Sequence, residues 1–341
     1  MKSLRFRLAL GVLAAAALMA LFLRGVDTNT LGSTLARAQV LPLIGVVLVT
    51  VLAYAVRAVR WGRLLAPIGK VPRRDLFSAT MVGFAASLLI PRSGELLRPW
   101  LVARRHAMAS TAAFATIVIE RLVDLISVLA VLALYLLIEH FTPGDRVAGE
   151  WLQWLNVGGV VAGGVALALL LLLMALHHNA ERTAATIERL FSIGPRWLAS
   201  RIAGVLRGFS GGLAVLRAPA RLWAVVAAES AVVWLLTAFG YHLVHIAFGI
   251  ELPFHVTFLL IAFLVVGESI PTPGLIGGFH AFYLITLAEI CGVERSTAAA
   301  AGITAHALTN LPVLLIGAAL LGREGGGLRR MAQAARGQAS G

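Results

Sequence analysis

Two stretches place ionisable and helix-breaking residues inside otherwise apolar sequence. The first, residues 83–100, reads GFAASLLIPRSGELLRPW and holds Pro91, Arg92, Ser93, Gly94, Glu95 and Arg98. Proline removes a backbone donor and glycine relaxes the chain, so a helix is predicted to break there and restart near Ser93 with free amides and a positive dipole. An anionic headgroup fits such an end. Arg92 and Arg98 could grip phosphate through planar, two-pronged guanidinium contacts, with Glu95 as counter-charge or proton carrier. The plainer alternative is that Glu95 pairs with an arginine and only stabilises the bend.

The following run, TIVIERLVDLISVLA, carries Glu120, Arg121 and Asp124. Residues four apart share a helix face, so Glu120 and Asp124 point the same way. Ionisable residues within a membrane are expensive and mark a bundle interior, a wet cavity or a partner. This trio is therefore either part of a functional site or a buried structural ion pair.

The second interruption, residues 267–282, reads GESIPTPGLIGGFHAF, with Glu268, Pro271, Thr272, Pro273, Gly274, Gly277, Gly278 and His280. That proline and glycine density suits unwound backbone along a polar pathway, although Gly277 and Gly278 could serve small-residue packing instead. Near the carboxyl end His306 and Asn310 again lie four apart, and their polar face could meet that of Glu120 and Asp124. His306 is either a proton-coupling group or a hydrogen-bonded packing residue.

No His-Glu-x-x-His, Walker loop or Gly-x-Ser-x-Gly occurs, and Cys291 is the sole cysteine. No metal, cofactor or internal disulfide is expected, and uphill transport would have to draw on an ion gradient or the membrane potential.

These residues must be held by membrane helices. The 341 residues are 59% hydrophobic and 13% charged, a balance for lipid rather than water. Apolar stretches near the ~20 residues that span a bilayer run from Leu8 to Leu23, Val40 to Val56, Ala112 to Ile138, Val157 to Leu176, Leu222 to Phe248 and Thr297 to Leu321. Leu76 to Arg105 and Val256 to Ile290 are each broken in the middle and read as pairs of half-length helices. The first stretch follows Lys2, Arg5 and Arg7 and reads as an uncleaved helix rather than a cleaved signal.

The net charge of +13 is spread between apolar spans rather than on one soluble basic face, which argues for topology and against nucleic acid. Arg57, Arg60, Arg63, Lys70, Arg73 and Arg74 read as one cytoplasmic loop, and His177 to Arg221 as a second cytoplasmic or interfacial linker. The connection holding Glu139, Asp145, Arg146 and Glu150 reads as external. Both termini are then cytoplasmic, in the cytoplasmic membrane of the cell. Span, broken hairpin, span occurs twice with opposite entry sides, an inverted repeat of the transporter kind. The expected fold is all-α, a polytopic bundle of one domain over residues 1–322 with a basic, disordered tail at 323–341.

Arg60-Trp61, Pro91-x-x-Gly94-Glu95-x-x-Arg98, Glu120-Arg121-x-x-Asp124 and Pro271-x-Pro273-Gly274 with Gly277-Gly278 together resemble the transmembrane region of lysylphosphatidylglycerol synthetases and their stand-alone flippase-like relatives. The resemblance implies flipping or export of a lipid, such as an aminoacylated phospholipid, a glycolipid or a polyprenyl-linked sugar. It carries a pathway role to Arg92, Glu95, Arg98, Glu120, Arg121, Asp124 and the Pro271 to Gly278 loop. The family's second loop usually continues as Gly-Gly-x-Gly followed by an acidic residue, whereas Leu275 and His280 stand here, so the favoured headgroup charge can differ. The synthetase's soluble domain does not follow, so lysyl transfer is not expected.

The leading expectation is a lipid translocase rather than an enzyme, with membrane lipids and a lipid-linked substrate as partners. The alternatives are a membrane enzyme acting on a lipid phosphate, with Ser93 as nucleophile and Glu95 or His306 as acid or base, and a non-catalytic subunit of a lipid-modifying complex. A membrane enzyme partner and a homo-oligomer both stay open.

Overall fold

The computed structural model describes residue 22, residues 27–141, most of 157–174, and residues 208–338 apart from 271, 273 and 275. The expected first span (apart from Phe22), the connection around Asp145, most of the 177–221 linker, and Pro271 and Pro273 lie outside the described residues.

Every regular element among the described residues is helical. After a short α1 (Thr28–Arg37) come α2 (Val40–Leu65), α3 (Arg73–Leu89), α4 (Ser93–Arg105) and α5 (Ser110–Phe141). The second half has α6 (Ala220–Ala247), α7 (Val256–Ser269), α8 (Gly278–Leu284, continued by a π-helical turn Ile285–Ile290) and α9 (Arg295–Gln338). Val40–Leu65, Ser110–Phe141, Ala220–Ala247 and Arg295–Gly322 are long and apolar enough to cross a bilayer. Their surface is that of a protein built for lipid: on α2 the large apolar Leu41, Ile44, Leu48 and Leu52 are exposed, while Val46, Thr50 and Ala53 on the other face are buried.

α2 continues past Val56 to Leu65, which corrects the loop expected to begin at Arg57. Arg57, Arg60 and Arg63 are helical, and Arg60 is fully buried. Apolar counting ended the span at the first arginine, but those arginines have partners inside the bundle, so the helix goes on.

Both broken regions form helical hairpins. In the first, α3 stops at Leu89 before Pro91, and Arg92 turns the chain through a left-handed conformation (φ 63°) into α4. α3 and α4 touch where Gly83 and Gly94 face each other: a Cβ on Gly94 would lie 2.0 Å from the Gly83 carbonyl oxygen. The second hairpin repeats the device, since a Cβ on Gly278 would lie 2.1 Å from the Gly267 oxygen. In lipid, where helices gain nothing by escaping water, such small-residue contacts are what hold them together. A shift of 184 residues carries 83 to 267 and 94 to 278, and it brings the start of α5 at Ser110 to within one residue of the start of α9 at Arg295.

Packing repeats in the same way. α2 and α6 form the central pair; α3 lies on α9 as α7 lies on α5, and α4 lies on α5 as α8 lies on α9. The first arm of each hairpin thus packs on the closing span of the other half, so the two halves are interleaved around one interior.

Candidate functional site

The densest chemistry sits where α2, α4 and α5 meet. Arg98 of α4 donates through both terminal nitrogens to the two carboxylate oxygens of Glu120, each at 3.1 Å. Its guanidinium lies 4.5 Å from the Trp61 ring centroid and 5.2 Å from that of Phe84. Arg121 donates to Glu120 at 2.8 Å and pairs with Asp124 at 3.0 Å. Arg60 donates to Asp124 at 2.6 Å and to the Ser230 hydroxyl of α6 at 2.9 Å, and Arg57 reaches Asp124 at 3.4 Å.

Glu120 and Asp124 share a face, as their spacing requires, but their partners come from two other helices, α2 and α4, as well as from Arg121. Four guanidiniums surround two carboxylates, leaving the cluster with an excess of positive charge. Glu120 and Arg60 are fully buried, so this is an electrostatic clamp in low dielectric, and removing one member strands the others.

Arg92 and Arg98 do not act as a pair. Arg98 is committed to Glu120, whereas Arg92 is exposed at the hairpin tip and its guanidinium reaches the Ser269 carbonyl at 3.5 Å, at the end of α7. The expected free amides at the start of α4 are also taken: Ser93 N donates to the Ile90 carbonyl, Gly94 N to the Ser87 hydroxyl at 2.9 Å, and Glu95 N to the Arg92 carbonyl. The turn is tight enough to cap itself. Glu95 is half-buried and makes no ion pair among the described residues, and the Ser93 hydroxyl is buried without a hydrogen-bond partner among them. No histidine or carboxylate among the described residues is hydrogen-bonded to Ser93, so a nucleophile and base are not assembled there.

The second hairpin is filled with rings. His306 Nε2 donates to the Gly274 carbonyl at 2.7 Å, which requires its proton on that nitrogen, and its ring lies 4.7 Å from His280 and 5.2 Å from Phe279. His280 is buried against Phe22 as well. Asn310 donates to the His306 carbonyl at 2.9 Å. His306 therefore faces its own hairpin and not Glu120 or Asp124. Gly277 takes φ 104° at the start of α8, a conformation open to glycine and not to L side chains.

Between the two hairpins, α2 and α6 leave a cavity of about 180 Å³. Of the residues singled out in the sequence, Glu268 and Asn310 line it; Arg57, Tyr54, Tyr241 and Trp234 join them, with Ser87, Thr237 and Thr309. Arg57 stands 5.1 Å from the Trp234 ring centroid. Glu268 makes no ion pair among the described residues. The cavity thus offers one cation, one carboxylate, hydroxyls and aromatic faces in apolar surroundings.

Arg57, Arg60, Tyr54, Trp234 and Tyr241 are the residues that sequence reasoning missed. The legible signal was spacing: Ala53, Arg57, Arg60 and Leu64 recur every three or four residues and continue the face that starts with Val46 and Thr50.

Residues 8–317 match the family described as the lysylphosphatidylglycerol synthase TM region. The chain belongs to that family. Among curated relatives, this member of the lysylphosphatidylglycerol synthase TM family is 22% identical over 337 residues to a protein named glycosyltransferase AglD from Haloferax volcanii, covering 92% of this chain and 54% of that one. It is also 22% identical over 323 residues to a UPF0104 membrane protein of Methanothermobacter thermautotrophicus, covering 92% of this chain and 93% of that one. The chain thus spans about half the length of the first relative and nearly all of the second.

Proposed function

We propose that the protein moves a lipid or lipid-linked molecule with a phosphate-bearing or sugar-bearing headgroup across the cytoplasmic membrane, passing the headgroup through the cavity between the hairpins. The observation that carries this reading is the mixed lining of that cavity, Arg57 and Glu268 with Tyr54, Tyr241 and Trp234, inside a lipid-facing bundle. Its volume of about 180 Å³ is below the roughly 300–1,000 Å³ of an ordinary ligand pocket, which suits a headgroup whose tails remain in the bilayer.

In this mechanism Arg57 takes the phosphate. Its bond to Asp124, at 3.4 Å, is the longest that Asp124 makes, and Asp124 keeps Arg60 and Arg121 when Arg57 lets go. The aromatic faces pack on sugar rings, and Glu268 accepts hydroxyl hydrogens or balances charge. The hairpins act as re-entrant gates in an inverted repeat, with both termini cytoplasmic, so that rocking one hairpin exposes the cavity to one side at a time. Support for this comes from the equal glycine contacts in the two hairpins and from arms of 13 and 14 residues, α4 and α7, which fall short of the about 20 residues a crossing helix needs.

The test is reconstitution in liposomes with headgroup-labelled phosphatidylglycerol and, separately, a labelled glycosylated polyprenyl phosphate, following protection from an external quencher. Protein-dependent movement that is lost in Arg57→Gln, with folding intact, is expected. No movement of either lipid by correctly inserted protein would reject the proposal.

A second reading has one observation in its favour. The relative named as a glycosyltransferase is about twice as long as its matched part, so this unit could serve a lipid-glycosylating enzyme as a membrane platform. That reading requires an enzyme partner in gentle pull-downs and no lipid movement by the protein alone.

A further inference from the structure

α6 is flanked by two lipid-facing grooves, and they differ in what lies behind them. One, of about 630 Å³, runs between α2 and α6 past Ala55, Val59, Ala228 and Val232. None of its lining residues lines the central cavity. The other, of about 700 Å³, runs between α5 and α6 past Val123, Ile126, Ala130, Ala227 and Ala231, with Leu170 and Met174 also on its wall, and it reaches Ser230 and Trp234.

Trp234 lines both this groove and the central cavity. It is 7% exposed, its indole Nε1 is buried without a hydrogen-bond partner among the described residues, and Arg57 stands over its ring. Ser230, at the same end, accepts the hydrogen bond of Arg60. An apolar channel among membrane helices therefore leads to one tryptophan, with a cation and an unused donor beside it. A polar donor left unpaired in a buried site is unfavourable, and an acceptor brought there by a ligand relieves it.

We propose that the α5–α6 groove is the lateral portal of the transporter: it holds the hydrocarbon chain of the cargo lipid while the phosphate reaches Arg57, and Trp234 is the gate between chain and headgroup. This rests on the translocase reading and adds the side from which the cargo enters. A lipid phosphate is the class of ligand that fits both ends, since a free headgroup has no use for the groove and a neutral hydrocarbon none for Arg57 and the indole N–H.

Ala227 and Ala228 are neighbours on α6, both exposed, one in each groove. A tryptophan at either fills one groove and leaves the other untouched, so each substitution controls for the other. Proteoliposomes of phosphatidylcholine and phosphatidylglycerol would be doped with a phosphatidylglycerol carrying a photoreactive acyl chain, and cross-linked peptides mapped alongside headgroup movement. Cross-links are expected to concentrate on α5 and α6 around Ile126, Ala130 and Ala231. Ala227→Trp is expected to remove them and to slow lipid movement about tenfold or more, a barrier increase of about 1.4 kcal/mol, while Ala228→Trp does neither. Ala130→Trp, on the opposite wall, repeats the test if Ala227→Trp fails to fold.

Equal effects from both α6 variants, or cross-links spread evenly around the lipid-facing surface, would overturn the portal and leave annular lipid only. If wild-type protein moves no lipid, the translocase reading falls by itself, and cross-linking concentrated on the groove still separates that failure from failure of the portal.

Discussion

In the first hairpin Gly83 and Gly94 bring the arms together around a guanidinium; in the second Gly267 and Gly278 do the same beside aromatic and imidazole rings. A Cβ on Gly83 would meet the Cγ of Arg98 at 2.2 Å, whereas one on Gly267 would meet backbone and the Phe282 ring. The backbone plan is shared and the filling is not. Arg98, fixed on Glu120, anchors the first hairpin to α5 through charge, while the second rests on α9 through His306 and the Gly274 carbonyl. Among the described residues, the first hairpin is clamped by buried arginine–carboxylate pairs, while the second is held by hydrogen bonds from Arg92 and His306 to its backbone, a contact of His255 with Glu139 and ring packing, so the second is the more readily moved.

That contrast can be broken by substitution. The largest effect is expected from Glu120→Ala, which strands Arg98 and takes a partner from Arg121; a loss of about 3–5 kcal/mol should appear as a collapse of folded yield or melting temperature in detergent. Survival of Glu120→Ala near wild-type stability would mean that the cluster is not a clamp.

Next come the glycines. Gly94→Ala and Gly278→Ala each force a Cβ into backbone at close to 2 Å, and each should destabilise by about 1–3 kcal/mol through forced separation of the arms. Paired thermal melts check this, and a large effect in one with none in the other would break the likeness between hairpins.

A smaller loss, about 1–3 kcal/mol and never beyond that of Glu120→Ala, is expected for His306→Leu, which leaves the Gly274 carbonyl without its donor. The same melts measure it. Trp61→Phe removes the indole N–H that donates to Thr116 at 3.0 Å and shrinks a fully buried ring while keeping one beneath Arg98, so about 1–2 kcal/mol is expected.

Much of the architecture was open to reading because lipid imposes simple rules. Long apolar runs gave α2, α5, α6 and the membrane part of α9, and Pro91 with Gly94 marked the first break. The site was harder because its members come from distant segments. Glu120 and Asp124 announced themselves as charges among apolar residues, but the spacing of charges in sequence offered only Arg121 as a partner, whereas Arg57, Arg60 and Arg98 arrive from α2 and α4. Arginines beside a span look like loop charges, and that rule hid Arg57 and Arg60 until the helix was seen to continue. Tyr54, Trp234 and Tyr241 carry no sequence mark at all, since aromatic residues are common in membrane helices and only the meeting of α2 with α6 puts them around one cavity.

The most direct test of the division between clamp and cavity compares Glu120→Gln with Glu268→Gln in one preparation, measuring melting temperature and lipid movement together. Glu120→Gln is expected to melt well below wild type, because neutral Gln cannot balance Arg98 and Arg121. Glu268→Gln should melt like wild type and lose lipid movement. A Glu120→Gln protein that is stable, or a Glu268→Gln protein that moves lipid at the full rate, would contradict the assignment of structure to the first cluster and transport to the cavity.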